Sequence, residues 1–277
     1  MVTFPNCKIN LGLYVVNKRS DGYHNIETVF YPVGWCDVLE VLENTAGNEP
    51  FTMSASGITI TGNPEQNLIY KAWKLMSDLK RIPPIKVHLH KNIPMGAGLG
   101  GGSSDAAHFI NLVSKQFDLG FTEDEKTNLA SALGSDCAFF IKNRPVLAKG
   151  KGNQFSDIRV DLSAFYILLV YPGIHSDTKV AYEGLIPAKP EGDLNKLIES
   201  GVIKNWKTDL LNDFEPSLFK KYPQIKMLKQ KLYDQGALYA SMSGSGSTVF
   251  GIFEKEPVPD FPPSFHCFLQ KPGIKIL

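Results

Sequence analysis

Apolar and polar residues alternate with a period of two through Ile85-Lys86-Val87-His88-Leu89-His90, the pattern of a strand with one buried face. The same reading places strands at Cys7 to Val16, Thr28 to Val33, Val38 to Leu42 and Phe51 to Ile60, with a turn at Gly34 between the second and third. Shorter strands are expected at Phe139 to Ile141 and Val146 to Lys149. A buried strand is expected at Phe165 to Tyr171, and others at Ala237 to Met242, Thr248 to Phe253 and Phe265 to Leu269. Leu68, Ala72, Leu75, Met76 and Leu79 recur at helical spacing and predict a helix over Asn67 to Leu79. Further helices are predicted at Asp105 to Gln116, Glu123 to Leu133, Thr178 to Leu185, Leu210 to Phe214 and Gln224 to Gln235. Thr122 and Glu125 form a capping box at the start of the third, and Gly236 is a C-cap for the last. Hairpins mixed with crossovers predict an α+β fold. Gly150-Lys151-Gly152-Asn153 is a weak candidate boundary.

Composition narrows the class. The chain has 277 residues and a net charge of +1, so it can bury a substantial core in one or two domains. No basic excess is present to neutralise a nucleic-acid backbone or to dock on an anionic membrane. Four scattered cysteines form no C-x-x-C pair, which gives no signal for zinc or a redox centre. No apolar run approaches the length of a bilayer span. These features point to a soluble cytoplasmic protein with reduced thiols and no membrane or nucleic-acid partner. A monomer or weak homodimer is the expected state.

The strongest chemical signal is Pro94-Met95-Gly96-Ala97-Gly98-Leu99-Gly100-Gly101-Gly102-Ser103-Ser104, in which five glycines fall within seven residues. A strand-like segment precedes it and a helix-like segment follows. Glycine admits left-handed backbone and leaves no Cβ between peptide N–H groups and a ligand. The first turn of a helix adds unpaired donors and a positive dipole end. Together these make a phosphate site. A P-loop would need Gly-Lys-Ser/Thr at its end, which is absent. Gly96, Gly98 and Gly101 match the dinucleotide fingerprint. However, the acidic residues about 20 positions on start a helix rather than close a strand, which argues against a dinucleotide fold. No protein-kinase catalytic motif follows.

Two other segments bear chemistry-capable residues. Lys8 and Asn10 share one side of the first long strand, and Ile9 and Leu11 the other. By pattern this is an ordinary half-exposed strand or a functional lysine. Asp136 lies between a helix end and an apolar run and reads as either a turn aspartate or a base beside a cation. His88 and His90 alternate on one strand face without a third ligand, so no metal site is assigned. Cys137 has no matching histidine for thiol catalysis.

The sequence Pro94 to Ala107 closely resembles the second motif of the GHMP kinases, whose members include galactokinase, homoserine kinase and mevalonate kinase. Pro5 to Leu11 is similar to their first motif, and Ser241 to Ser247 to their third, in family order. One branch resembles the chain most: Arg19-Ser20-Asp21-Gly22-Tyr23-His24 is similar to the Arg-x-Asp-Gly-Tyr-His signature of members acting on a cytidine diphosphate-linked polyol. Gly134 to Phe140 is similar to the same branch.

The resemblance implies the GHMP two-domain fold. Residues 1–155 would form a ribosomal protein S5 domain 2-like domain with the ATP loop, and 156–277 a ferredoxin-like domain. It implies ATP-dependent phosphorylation of the polyol's C2 hydroxyl, with Mg²⁺, in the non-mevalonate route to isoprenoid precursors. Residues 94–104 would wrap the triphosphate, with Asn67 and Lys91 on the adenine side. Asp136 would take the hydroxyl proton, with Lys8 beside it, and Asn10 would contact the substrate. Tyr23 would stack on cytosine, His24 would bond its polar edge, and Tyr182 would cover the other ring face. Asn6-Cys7 and Cys137-Ala138 depart from the family's usual Pro-Ala or Ala-Ala and Val-Pro, flanking the proposed catalytic pair. Another small-molecule GHMP kinase, of homoserine or mevalonate type, and a non-catalytic nucleotide-binding regulator are the alternatives.

Overall fold

The computed structural model describes residues 1–45, 49–176, 178–182, 185–190 and 192–274. In chain order the strands and helices begin with β1 (Val2–Thr3), β2 (Asn6–Lys18), β3 (His24–Cys36), β4 (Val38–Glu43) and β5 (Phe51–Gly57). Next come α1 (Leu68–Ser77), β6 (Ile85–Lys91), α2 (Gly101–Gln116), α3 (Glu123–Leu133) and α4 (Cys137–Lys142). They are followed by β7 (Val146–Lys149), β8 (Gln154–Asp157), β9 (Tyr166–Tyr171), α5 (Thr178–Tyr182) and α6 (Leu194–Glu199). The last are α7 (Trp206–Asp209), α8 (Glu215–Lys221), α9 (Pro223–Asp234), β10 (Tyr239–Met242), β11 (Val249–Phe253) and β12 (His266–Gln270).

The residues group into two units that do not follow chain order. The first holds residues 1–7, 35–95 and 100–144, and the second 8–34, 96–99 and 145–277. These groupings do not coincide with a division at 155/156.

The first unit carries a sheet of order β1-β4-β6-β5, antiparallel except for the β5–β6 pair. The alternation read from the sequence is realised in β6. Ile85, Val87, Leu89 and Lys91 point inward, and Lys86, His88 and His90 point outward or lie half-buried. Helices α1 to α4 belong to the same unit. Thr122 caps α3, its side chain accepting from Glu125 N while the Glu125 carboxylate accepts from Thr122 N at 2.8 Å.

The second unit carries two sheets, β2-β3-β7-β8 and β10-β11-β9-β12. Helix α9 lays Ile225, Leu228 and Leu232 onto the second sheet's core, beside Leu168, Val170, Val249 and Phe253. Each such side chain, taken out of water, stabilises the fold by roughly 1.5–3 kcal/mol.

Several elements differ from the sequence reading. Phe139 to Ile141 is helix α4 rather than strand, because Cys137 to Ile141 is buried all round and a short apolar run carries no period to separate the two. Leu210 to Phe214 is not helical. Leu13 N donates to Leu211 O at 2.8 Å and Asp213 N to Leu13 O at 2.9 Å, which tethers the segment along β2. The helices α7 and α8 lie on either side of it. Gly150 to Asn153 is the turn of the β7–β8 hairpin rather than a boundary. Gly34 lies inside β3, and β3 and β4 join different sheets. Strand β2 is buried on both faces from Asn6 to Val15 rather than half exposed.

Candidate active site

Residues 94–104 connect β6 to α2. Gly96, Gly98 and Gly100 have φ of +63°, +78° and +70°, while Ala97 and Leu99 do not share the left-handed region. Alternation of φ sign turns successive N–H groups toward one concave side, a nest suited to an anion. Ala97 and Leu99 are buried while Gly96 and Gly102 are exposed, so the apolar residues anchor the loop and these two glycines face outward. The loop carbonyls are tied down within the second unit. Thr248 N donates to Ala97 O at 3.2 Å and Lys8 N to Leu99 O at 3.0 Å. Gly98 O accepts from Ser243 Oγ at 2.9 Å and from Lys8 Nζ at 3.1 Å. The first-motif strand and the third-motif turn thus both hold the second-motif loop. After Gly100, α2 begins with exposed Gly102 and half-buried Ser103 in its first turn.

This three-motif arrangement has known counterparts. The family model for the N-terminal domain of GHMP kinases matches residues 67–144, and the model for their C-terminal domain matches 194–261. The chain belongs to the GHMP kinases. A protein of Cytophaga hutchinsonii named 4-diphosphocytidyl-2-C-methyl-D-erythritol kinase is 51% identical over 93% of this chain and 94% of its own. One of the same name from Bacteroides thetaiotaomicron is 47% identical over 97% of this chain and 98% of its own. A crystal structure of 4-(cytidine 5'-diphospho)-2C-methyl-D-erythritol kinase superposes with a TM-score of 0.78 at 28% identity, covering 91% of this chain and 90% of that one. The GHMP kinase fold is therefore as expected, and membership implies ATP as the phosphoryl donor.

Lys8 is buried on β2, where its Nζ donates to Asn10 Oδ1 at 2.6 Å as well as to Gly98 O, and lies 5.0 Å from the Phe30 ring centroid. Asn10 is fixed in turn, its Nδ2 donating to Thr28 Oγ1 at 3.0 Å. This support from Thr28, on the neighbouring strand β3, is not visible in the local sequence pattern. Asp136, in the first unit, immediately precedes α4 and is half-buried; its carboxylate does not cap that helix. Burial pushes the neighbouring Cys137 thiol up to about 11, opposed by a hydrogen bond with Ser103. It is a packed thiol, not a thiolate nucleophile. The departures Asn6-Cys7 are accommodated by packing: Asn6 Nδ2 donates to Cys7 O at 2.9 Å and Asn6 Oδ1 accepts from Asn143 Nδ2 at 2.6 Å.

Tyr182 stacks on His24, with centroids 4.4 Å apart and planes at 15°. Tyr23 is 61% exposed and carries Lys151 Nζ 4.8 Å from its ring centroid. Asp21 accepts from Tyr23 N at 3.1 Å and from Arg19, fixing the turn before β3. Burial, and then Lys18, lower the His24 pKa, so its imidazole is neutral near pH 7.

On the other unit, Asn67 caps α1, accepting from Ile69 N at 2.8 Å. The ammonium of Lys91 donates to Asp37 and, at 2.8 Å, to Asp105. That nitrogen is thus engaged within the fold, and neither carboxylate was singled out from sequence. Among the described residues, no three of His, Cys, Asp and Glu gather to hold a metal, and no helix is long and apolar enough to cross a membrane.

Proposed function

We propose that this GHMP kinase transfers the γ-phosphoryl group of ATP to the C2 hydroxyl of 4-diphosphocytidyl-2-C-methyl-D-erythritol. The products would be the 2-phosphate and ADP, in the non-mevalonate route to isoprenoid precursors. The observation that carries this reading is similarity of 45–51% identity over nearly the whole chain to proteins bearing that kinase's name. In the reaction the C2 oxygen bonds to the γ-phosphorus, the bond from that phosphorus to the ADP oxygen breaks, and the hydroxyl proton passes to Asp136. Lys8 stabilises the developing alkoxide, and Asn10 holds the acceptor. The loop 94–104 cradles the triphosphate with its nest of N–H groups and the N-terminus of α2, as electrostatic positioning requires. Asn67 lies on the adenine side. Mg²⁺ bound with ATP would neutralise part of the charge on its phosphates.

The turn Arg19 to His24 reads the cytosine. Exposed Tyr23 offers a ring face. Neutral His24 offers a hydrogen bond, and its stack on Tyr182 sets the ring's orientation. Polar contacts supply the choice of base, since stacking alone is tolerant.

Asp136→Ala tests the assignment of the base. Transfer should fall by at least ~10²-fold, while the dissociation constant for ATP stays within about two-fold. Near-normal turnover in a folded variant would remove Asp136 from that role.

A further inference from the structure

Strand β6 alternates, and its last inward position is a lysine. Ile85, Val87 and Leu89 are core residues, and Lys91 follows them on the same face at 2% exposure. An ammonium at that depth needs close hydrogen-bonding and ionic partners. Two carboxyl groups meet it. Asp37, fully buried at the break between β3 and β4, accepts from Lys91 Nζ through Oδ2. Asp105 accepts from it at 2.8 Å. Each carboxylate reaches a different end of the phosphate loop. Oδ1 of Asp37 also accepts from Asn92 N at 2.6 Å and Ile93 N at 2.8 Å, the two residues that lead into Pro94. Asp105 stands in the second turn of α2, on the face that carries buried Phe109 and Leu112. The lysine also lies beneath the first residue of that helix, where a Cβ added at Gly101 would come 3.0 Å from Nζ.

We propose that Asp37, Lys91 and Asp105 form a positioning triad that clamps the entry and exit of the ATP loop and so sets the shape of its phosphate nest. The proposal rests on the reading of residues 94–104 as the ATP cradle. The triad acts through the loop it holds. It fixes where the loop leaves β6 and where α2 begins, so the N–H groups of the loop are arranged before ATP binds. Preorganisation of this kind raises affinity by removing the ordering cost at the moment of binding. Asp37 and Asp105 are 68 positions apart, with Lys91 between them, and no contiguous motif contains them.

The test compares wild type with Lys91→Met, which keeps an unbranched side chain and removes the charge. Two quantities are read: the dissociation constant of a non-hydrolysable ATP analogue, and amide hydrogen exchange along the chain. The triad predicts weakening of the analogue by about ten-fold or more, with faster exchange confined to peptides covering 92–104 and protection of α3 retained. Asp105→Asn, nearly isosteric, should show the same local pattern with a smaller loss, and it carries the test if Lys91→Met does not fold. A folded variant with wild-type affinity and unchanged exchange at 92–104 would overturn the proposal. So would exchange raised evenly over the first unit, which would mark a purely structural ion pair. Failure of the wild type to bind the analogue would instead count against the ATP-cradle reading, and the exchange pattern would still decide on the clamp.

Discussion

A methyl group at Gly98 would lie 2.0 Å from the carbonyl oxygen of Ser243, on a backbone with φ of +78°. Left-handed backbone alone costs an L-residue roughly 1–2 kcal/mol, and the clash must be relieved by moving either the loop or the third-motif turn. Gly98→Ala should therefore raise the KM for ATP at least several-fold and lower the melting temperature. Gly102→Ala meets nothing within 4 Å and lies in a helix, so it should preserve the melting temperature. Steady-state kinetics and a thermal melt check both. A Gly98→Ala enzyme with wild-type KM would mean that Gly98 is not part of the cradle. The glycine run was legible as a phosphate site because five glycines before a helix have few other uses. Which glycine is indispensable was not legible, because that depends on Ser243, 145 positions away.

At the level of elements, the buried ion triad links helix α2 to strand β6 and adds a pH signature. Burial pushes the Asp105 carboxyl up to about 8, with the Asp37 carboxylate adding to the push and Lys91 opposing it. A carboxyl raised above its unfolded value binds protons more readily in the folded state. Its stabilising contribution is therefore full below about pH 4 and lost as pH rises through about 8. Urea unfolding from about pH 5 to about pH 8 should show wild type losing stability relative to Asp105→Asn across that interval. A constant difference between the two would contradict it. Groups remote from the triad titrate in both proteins alike, so the comparison reports on Asp105 together with Lys91 and Asp37, which face it.

Elements with a clear period or cap were legible in the sequence: β6 by alternation, α3 by its capping box, and α9 by helical spacing and Gly236. Helix α4 was missed because Cys137 to Ile141 is apolar throughout. The Leu210 to Phe214 segment was missed because its partner is β2, which local pattern does not encode. Lys91 had a readable signal, a charge at an inward position of an alternating strand. Its partners Asp37 and Asp105 did not, since they come from other elements.

For the whole molecule, a net charge of +1 leaves no broad field to gather an anionic substrate, so recognition falls to local groups. The family-level site was legible because its three motifs stand in order along the chain. The pairing of His24 with Tyr182 was not, since Tyr182 stands on α5, far along the sequence. The acceptor is therefore the claim most exposed to experiment. Purified protein would be incubated with ATP, Mg²⁺ and 4-diphosphocytidyl-2-C-methyl-D-erythritol, or with the uncytidylated 2-C-methyl-D-erythritol 4-phosphate, and products followed by phosphorus NMR. The account predicts a new phosphate monoester on C2 and stoichiometric ADP with the cytidyl substrate, at a rate at least ~10²-fold above that with the uncytidylated one. Equal rates on the two acceptors, or ATP bound without transfer to either, would contradict it.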